Sequence, residues 1–364
     1  MARFSDKDRK MMRMAFSLAL KGWGKVSPNP MVGAVIVNGN EIAGVGFHRG
    51  YGAAHAETRA IKAAKGKTRG SSMYLNLEPC NHFGKTPPCT QAIIAAGVKE
   101  VICSNKDNNP FVKGDGLTEL RRNGIKVRSG LLEAEGAQLN EMYFKYKTTG
   151  IPFVILKAAM SLDGFIYSSK FDSRYLSSND FLGYVHHLRA GCDAVLIGAK
   201  TAIVDNPRLN VRLVKGRDPV RIVFCDDRML PSDLDILSTA SNIRTIVAIP
   251  MRAPKANYGK NVEIWSIKTR AKKISIKAFL ERAAKEGIFS ILVEGGSKVF
   301  NAFLDEKAVD KIVLSHAPYL FGDGVPFSSI HSKVGRGRHI RFKPFYWSRT
   351  DNESIFIGYP DFQS

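Results

Sequence analysis

The feature that most constrains this chain is a set of four residues able to surround one metal ion. His55 is followed two positions later by Glu57, and Cys80 and Cys89 come after the apolar segment SMYLNL. Zinc prefers imidazole and thiolate ligands, and a catalytic zinc site has three protein ligands, with the fourth position left to water. A fold that uses these residues together must place four side chains, spread over residues 55 to 89, around one point.

We interpret His55, Cys80 and Cys89 as the ligands of one zinc ion per chain. Glu57 is placed to act as the proton carrier: it would accept a proton from the zinc-activated water and pass it to a leaving amine. Taken singly, a His-x-Glu pair is usually a helix surface pair, and a cysteine is usually a small core residue. Ligand type, ligand number and the predicted helix at Cys89 together favour the metal site. The remaining cysteines lie in or near apolar strands and are interpreted as core residues: Cys103, Cys192 and Cys225.

The chain alternates between strand and helix patterns, which predicts a layered α/β protein. GAVIVNGNEIAGVGF contains two apolar runs around Asn38-Gly39, a strong hairpin signal. FKYKTTGIPF lies between a helical stretch and a new apolar strand, FVILKAAMS, and marks a domain boundary. We therefore expect a first domain over residues 1–147 and a second over residues 148–364.

The first twenty residues could be mistaken for a targeting segment. Apolar residues at helical spacing, with Asp6 and Asp8 before them, instead predict an amphipathic first helix: Met12, Ala15, Phe16, Ala19 and Leu20. The sequence has no apolar run of the length that spans a membrane. Five irregularly spaced cysteines do not make a disulfide framework, so we expect a reducing, cytoplasmic location.

The second half contains apolar strands such as DAVLIGAKT, PVRIVFCDD, TIVAIP and FSILVEGG, separated by helical stretches such as SIKAFLERAAKEG. It lacks the G-x-G-x-x-G fingerprint of dinucleotide-binding folds. Gly295 and Gly296 stand between a strand and a helix, where backbone N–H groups can approach a phosphate, although most such pairs are plain turns. The net charge of +21 is compatible with anionic ligands, including nucleic acid, phosphorylated metabolites and dinucleotides, and equally with a solvated basic surface.

Several motifs together resemble a known family. His-Ala-Glu followed by Pro-Cys and a second cysteine is similar to the zinc-dependent cytidine-deaminase superfamily. The longer spacing in PCNHFGKTPPC, with SPNPMVGAVIV upstream, resembles the deaminase half of the bifunctional deaminase/reductases of riboflavin biosynthesis. LKAAMSLDGFI, DNPRLNVR and LVEGGS resemble the reductase half of the same family. The resemblance covers nearly the whole chain and implies a cytidine-deaminase-like α/β/α sandwich followed by a dihydrofolate-reductase-like α/β domain.

This resemblance also implies an activity. Proteins of the family deaminate 2,5-diamino-6-(5-phosphoribosylamino)pyrimidin-4(3H)-one with zinc and then reduce its ribosyl group to ribityl with NADPH. The expected partner is therefore a phosphorylated pyrimidine, with no requirement for nucleic acid or a membrane. A homo-oligomer, a dimer or tetramer, is also expected.

Residue roles follow from the resemblance, position by position. In the first domain the pyrimidine and phosphate contacts fall on Asn29, His48, His82 and Lys85. In the second domain Asp205 is placed near the reacting carbon as a catalytic and cofactor-binding residue. Substrate contacts fall on Lys157, Ser173, Arg189, Leu209, Arg212 and Glu294. NADPH contacts fall on Ala159, Tyr175, Thr201, Gly295, Gly296 and Ser297.

The reductase half departs from the family pattern in a few places. Where the family usually has Gly-Asp-Ser-x-Trp-Ile-Thr, this chain reads FDSRYLSS, with Phe171, Tyr175 and Ser177 at the changed positions. Asn210 replaces a common threonine, and Asn108 replaces a proline. These changes bear on the reductase rate and cofactor affinity rather than on the reaction class, because Tyr175 can still stack and Ser177 keeps a hydroxyl.

Three alternatives belong to other classes. A nucleic-acid deaminase acting on tRNA or single strands would suit the charge, but it would leave the second domain unexplained. A zinc-stabilised RNA-binding protein without catalysis is disfavoured, because a structural zinc site requires neither a proton carrier such as Glu57 nor a free fourth coordination position. A deaminase whose reductase domain is inactive is the third, and it would release ammonia from the pyrimidine nucleotide without oxidising NADPH.

Overall fold

The computed structural model describes residues 4–83, 87–109, 115–171, 176–225, 229–254, 256–329, 339–350 and 352–362. The chain divides into two compact units, Met1–Gly150 and Ile151–Ser364. The boundary expected from the sequence, between residues 147 and 148, falls inside the helix Glu141–Thr149 at the end of the first unit.

The first unit contains helices α1 to α6 and strands β1 to β5. The helices are Asp6–Ala19, Ala56–Ala63, Cys89–Ala95, Gly116–Arg122, Glu133–Leu139 and Glu141–Thr149. The strands are Gly33–Asn38, Glu41–Phe47, Ser72–Leu77, Glu100–Asn105 and Lys126–Ser129. They form a sheet in the order β2-β1-β3-β4-β5. The β1–β2 and β1–β3 pairs are antiparallel and the other two are parallel, which confirms the hairpin predicted around Asn38-Gly39.

Helix α1 covers one face of this sheet. Ser5 caps its N-terminus and exchanges hydrogen bonds with Asp8, the pattern of a capping box. Side chains at helical spacing, among them Met12 and Phe16, are buried against Val35 and Val37 of β1. The amphipathic first helix is therefore confirmed, although Leu20 follows the helix and is 51% exposed.

Helices α2 and α3 pack on the opposite face. Alanines of α2 and Ile93 of α3 share a core with Ala34 and Ile36, the alternate side chains of β1. Helix α2 lies very close to β2: a β-carbon at Gly46 would stand only 2.2 Å from the carbonyl oxygen of Ala56. This close approach fixes the start of α2, and with it His55 and Glu57, against the sheet. Helices on both faces make the layered sandwich that the sequence predicts.

The second unit contains strands β6 to β18 and helices α7 to α11. Its strands are Phe153–Met160, Phe165–Tyr167, Ala194–Gly198, Val220–Phe224, Thr245–Pro250, Val262–Ile267, Thr269–Arg270, Lys273–Ile274, Ser290–Gly295, Lys311–His316, Val325–Pro326, Arg341–Arg349 and Ser354–Asp361. Its helices are Asn179–Gly191, Ala199–Asp205, Asp235–Ser238, Ile276–Lys285 and Ser297–Asp305.

Within the described residues, the main sheet of this unit has the order β11-β10-β9-β8-β14-β6-β15-β18-β17. The pairs from β11 to β15 are parallel, whereas β18 runs antiparallel to both β15 and β17. Helices α10 and α11 bury Phe279, Phe300 and Phe303 on one face of the sheet. The central strands β6 and β14 carry two polar residues described below, Lys157 and Glu294.

Among the described residues, no helix combines the length and the apolar character needed to cross a membrane.

Candidate active sites

Three elements of the first unit bring the predicted metal ligands together. His55 caps α2, Cys80 follows β3, and Cys89 opens α3. His55 Nδ1 lies 3.2 Å from Cys89 Sγ and 3.6 Å from Cys80 Sγ, and all three ligand atoms lie within 4.8 Å of one another. One imidazole and two thiols converging on a single point are the donor set that zinc prefers.

The charges of this cluster also suit a metal. Hydrogen bonding from the Cys89 thiol lowers the pKa of Cys80 to about 4, and hydrogen bonding to His55 helps to lower it. The pKa of Cys89 is raised because its proton is held between the two sulfurs and because the thiol is buried. Cys80 is thus a thiolate at neutral pH, the form in which cysteine binds zinc.

Glu57 lies in the first turn of α2 and is 3% exposed. Its Oε2 atom is buried without a hydrogen-bond partner in the described part of the chain. Burial, more than any neighbour, raises the pKa of this carboxyl. A buried acceptor left unpaired costs about 1–3 kcal/mol, so such a group calls for a functional explanation. A water or substrate proton at a metal held by the cluster would supply the missing partner, and the residues present therefore fit zinc.

The loop that carries Cys80 is held by a residue that our sequence reading missed. Glu78 is 5% exposed, and its carboxylate accepts the backbone N–H groups of Asp107 at 3.0 Å and Leu117 at 2.9 Å. At Gly116, a β-carbon would lie 2.0 Å from the carbonyl oxygen of Pro79. The only sequence signal was an acidic residue directly before Pro79-Cys80, where a buried carboxylate needs partners.

Two of the expected substrate contacts lie beside the metal cluster. His48 is 2% exposed, and its ring centroid is 5.3 Å from that of His55. Asn29 Nδ2 lies 3.1 Å from His48 Nε2. Burial, together with repulsion from His55, lowers the pKa of His48, which favours the neutral ring. His82 is exposed on the loop after Cys80, and Lys85 lies outside the described residues.

The second unit has a polar cluster at the centre of its sheet. Glu294 of β14 and Arg189 of α7 form a nearly buried ion pair, with Nε–Oε1 at 2.5 Å and Nη2–Oε2 at 2.8 Å. Burial is the largest influence on the pKa of Glu294 and would raise it, but attraction to Arg189, the hydrogen bonds from Arg189 and attraction to Lys157 together lower the pKa. Lys157 of β6 adds a second cation, whose pKa burial lowers despite the attraction of Glu294. We call Lys157, Arg189 and Glu294 the central cluster.

The segment after α8 joins this cluster. Arg189 Nη1 donates to the carbonyl oxygen of Asn210 at 3.1 Å, and Arg212 Nη1 lies 3.2 Å from Asn210 Oδ1. Arg212 is exposed, whereas Leu209 is buried in the core beside α8. Asn210 therefore links two predicted substrate residues, Arg189 and Arg212, and Arg189 in turn binds a third, Glu294.

The predicted cofactor residues are partly assembled as well. Gly295 ends β14, Ser297 opens α11, and Thr201 lies on α8. A β-carbon at Gly296 would lie 3.1 Å from Thr201 Oγ1, so α8 and the β14–α11 turn are in close contact. Ala159 is half-buried on β6, and Asp205 is exposed as the last residue of α8. Ser173 and Tyr175 lie outside the described residues.

Family models match both units. The cytidine and deoxycytidylate deaminase zinc-binding region matches residues 5–105, and the RibD C-terminal domain matches residues 152–352. With the metal cluster described above, these matches define a two-domain enzyme, a zinc-binding deaminase domain followed by a reductase domain.

Relatives that match most of the chain identify the family within this class of enzyme. The riboflavin biosynthesis protein RibD of Aquifex aeolicus is 37% identical over 89% of this chain and 90% of its own length, and RibD of Escherichia coli is 34% identical over 86% and 89%. The chain belongs to the RibD family of riboflavin biosynthesis proteins. The crystal structure of a diaminohydroxyphosphoribosylaminopyrimidine deaminase/5-amino-6-(5-phosphoribosylamino)uracil reductase from Thermotoga maritima superposes with a TM-score of 0.87, at 37% identity, covering 97% of this chain and 99% of that one. The predicted fold class and family are confirmed, and the nucleic-acid deaminase is not favoured.

Proposed function

We propose that this protein catalyses two consecutive steps of riboflavin biosynthesis on one phosphorylated pyrimidine. The first is deamination of 2,5-diamino-6-(5-phosphoribosylamino)pyrimidin-4(3H)-one, and the second is NADPH-dependent reduction of the ribosyl group to ribityl. The observation that carries the proposal is the buried Oε2 of Glu57, which has no partner among the described residues and lies beside His55, Cys80 and Cys89. Membership of the RibD family supports both steps.

In the deaminase domain, His55, Cys80 and Cys89 would hold one zinc ion. Zinc in such a site supplies Lewis acidity and lowers the pKa of a bound water to about 7. Glu57 then carries a proton from the attacking water to the departing ammonia, which its burial and raised pKa suit. Asn29 and His48 orient the pyrimidine, and His82 and Lys85 bind the phosphate.

In the reductase domain, the central cluster and Arg212 hold the phosphorylated substrate, together with Ser173 and Leu209. NADPH supplies the hydride and would be held by Ala159, Tyr175, Thr201, Gly295, Gly296 and Ser297. The close approach of Gly296 to Thr201 supports this placement, because it brings two of the proposed cofactor residues side by side. Asp205, the exposed last residue of α8, would act near the reacting carbon.

One assay tests the whole proposal. Purified protein is incubated with the diaminopyrimidine phosphate, ammonia is measured first, and NADPH absorbance is followed after the nicotinamide is added. We expect ammonia release without NADPH, followed by one NADPH oxidised per ammonia released. Ammonia without NADPH oxidation would leave a deaminase with an inactive reductase domain, and no ammonia from the free nucleotide would contradict the proposal.

Replacing Asp205 with asparagine is expected to stop reduction and leave deamination intact. The substitution keeps the size of the side chain but removes its charge and its capacity to take a proton. Ammonia release should therefore proceed at the wild-type rate while NADPH stays unoxidised and the deaminated ribosyl compound accumulates. Asp305→Asn, at the exposed end of α11 in the same unit, is the matched control. If the Asp205→Asn variant oxidises NADPH at the wild-type rate, Asp205 has no part in the mechanism.

We also propose that the two domains act independently, with a boundary close to residue 148. A fragment ending at Thr149 should bind zinc and release ammonia without NADPH, because every predicted deaminase residue lies between 29 and 89. A fragment starting at Gly150 should contain no zinc and should oxidise NADPH with the deaminated substrate. Zinc analysis and circular dichroism of each fragment check this, and failure of the first fragment to fold would contradict it.

A homo-oligomer of two or four copies and a cytoplasmic location remain parts of the proposal. The five cysteines are free, which is in keeping with a reducing compartment. Light scattering coupled to gel filtration measures the number of copies.

A further inference from the structure

A second residue of helix α7 contacts the segment that carries Arg212. His186 lies one turn before Arg189 on α7 and is 2% exposed. Its Nδ1 accepts the backbone N–H of Arg212 at 3.1 Å. One turn along the helix, Arg189 Nη1 donates to the carbonyl oxygen of Asn210. Helix α7 therefore holds residues 210 and 212 by two hydrogen bonds of opposite direction.

The bond from Arg212 requires one protonation state of the histidine. A backbone N–H can only donate, so Nδ1 must carry a lone pair and the ring proton must sit on Nε2. Burial, with repulsion from Arg189 and Arg212, lowers the pKa of His186 to about 4, against the opposing attraction of Glu294. Lys157 is the other cation that faces it. The ring is thus a neutral acceptor throughout the neutral pH range.

We infer that His186 is a positioning residue of the reductase site, which holds the Asn210–Arg212 segment against the central cluster. The inference deepens the proposed function and rests on it for the identity of the substrate. Arg212 is exposed, so hydrogen bonds rather than side-chain packing hold its backbone. The N–H of Val211, between the two residues held by α7, donates to Asp218 Oδ1 at 2.6 Å and secures the segment on its other side. The hydrogen bond to His186 fixes the backbone at Arg212, and the bond from Arg189 fixes it at Asn210.

The role predicts an effect on binding rather than on the chemical step. If the backbone of Arg212 moves, its guanidinium loses its position relative to Arg189 and Lys157, and the phosphate of the substrate is held less well. The hydride transfer between NADPH and the ribosyl carbon involves other residues. Loss of the bond should raise KM for the reductase substrate and leave kcat close to its wild-type value.

The test compares two substitutions in the full-length zinc protein. His186→Leu fills the space but removes the acceptor, whereas His186→Asn keeps an oxygen acceptor near the place of Nδ1. The Arg212 N–H is partly buried, so the loss of its acceptor in His186→Leu should raise KM roughly fivefold to 150-fold, with kcat within about twofold. His186→Asn should restore most of the KM. His187→Leu, at the next and exposed position of α7, is the matched control.

Hydrogen exchange gives a readout that does not depend on activity. The Arg212 amide should exchange slowly in the wild type and in His186→Asn and quickly in His186→Leu, while amides of β14 stay protected in all three. An unchanged Arg212 amide or an unchanged KM in His186→Leu would overturn the inference. So would a His186→Asn variant that restores slow exchange without restoring KM. If the wild type itself oxidises no NADPH, the proposed reductase function fails, and amide exchange alone decides whether His186 holds this segment.

Discussion

Replacing Glu57 with glutamine is expected to lower the deamination rate by roughly 100-fold to 10,000-fold, the usual contribution of a general acid–base group. The amide has nearly the same shape as the carboxyl but cannot carry a proton between the attacking water and the leaving ammonia. Glu57 is not one of the three clustered ligands, so zinc should stay near one ion per chain. Ammonia release and elemental analysis of the same sample measure both quantities.

The control for this variant is Glu133→Gln, the same chemical change at an exposed position of α5 in the same unit. It should match the wild type in rate and zinc content. NADPH oxidation with the deaminated substrate should be normal in both variants. A Glu57→Gln protein that deaminates at the wild-type rate would remove the proton-carrying role, and loss of zinc would make Glu57 part of the metal-binding structure instead.

Breaking the ion pair of the central cluster should have the largest effect on stability. Arg189→Met leaves Glu294 buried without its partner, and removal of one member of a buried pair typically costs about 3–5 kcal/mol. The variant should also lose most of its reductase activity, because the substrate loses a cationic contact, while ammonia release stays unchanged. Hydrogen exchange of α7 and β14 peptides in increasing urea measures the loss of stability within the second unit.

A double variant separates the two effects. Arg189→Met combined with Glu294→Leu removes both charges, and well-packed apolar replacements of a buried pair are often neutral or stabilising. We expect the stability to return while reduction stays impaired. Since the pKa of Glu294 is lowered in the folded wild type, the contribution of its charged form is present at neutral pH and is lost as the pH falls. The wild type should therefore lose stability relative to the double variant on acidification, and the opposite trend would contradict the ion-pair assignment.

Local patterns were sufficient for much of the fold. The hairpin at Asn38-Gly39 follows from turn chemistry, and helix α1 follows from the spacing of Met12 and Phe16 and from the cap at Ser5. The residues of the metal cluster were predicted because imidazole and thiol side chains are scarce and their chemistry is specific. These features can be predicted because each depends only on residues close in sequence or on the chemistry of a residue type.

Contacts between distant segments could not be predicted in the same way. The resemblance placed Arg189 and Glu294 separately against a substrate, but the structure shows that they also bind each other, 105 positions apart. Glu78 and His186 were missed because their partners are backbone N–H groups of remote segments, which leave no mark on the residue pattern. The antiparallel strands β17 and β18 at the end of the second sheet were likewise not anticipated.

The fit of Gly116 against Pro79 has an evolutionary consequence. Any side chain at position 116 would bring its first carbon within 2.0 Å of the Pro79 carbonyl oxygen, and the simplest relief is to push back the peptide that leads into Cys80. The affinity of the centre for its metal should therefore depend partly on Gly116, a residue that supplies no ligand. We expect that one substitution at Gly116 can cost such a chain its metal while His55, Cys80, Cys89 and Glu57 all remain in place, and a genome survey that checks only the motif would still count it as active.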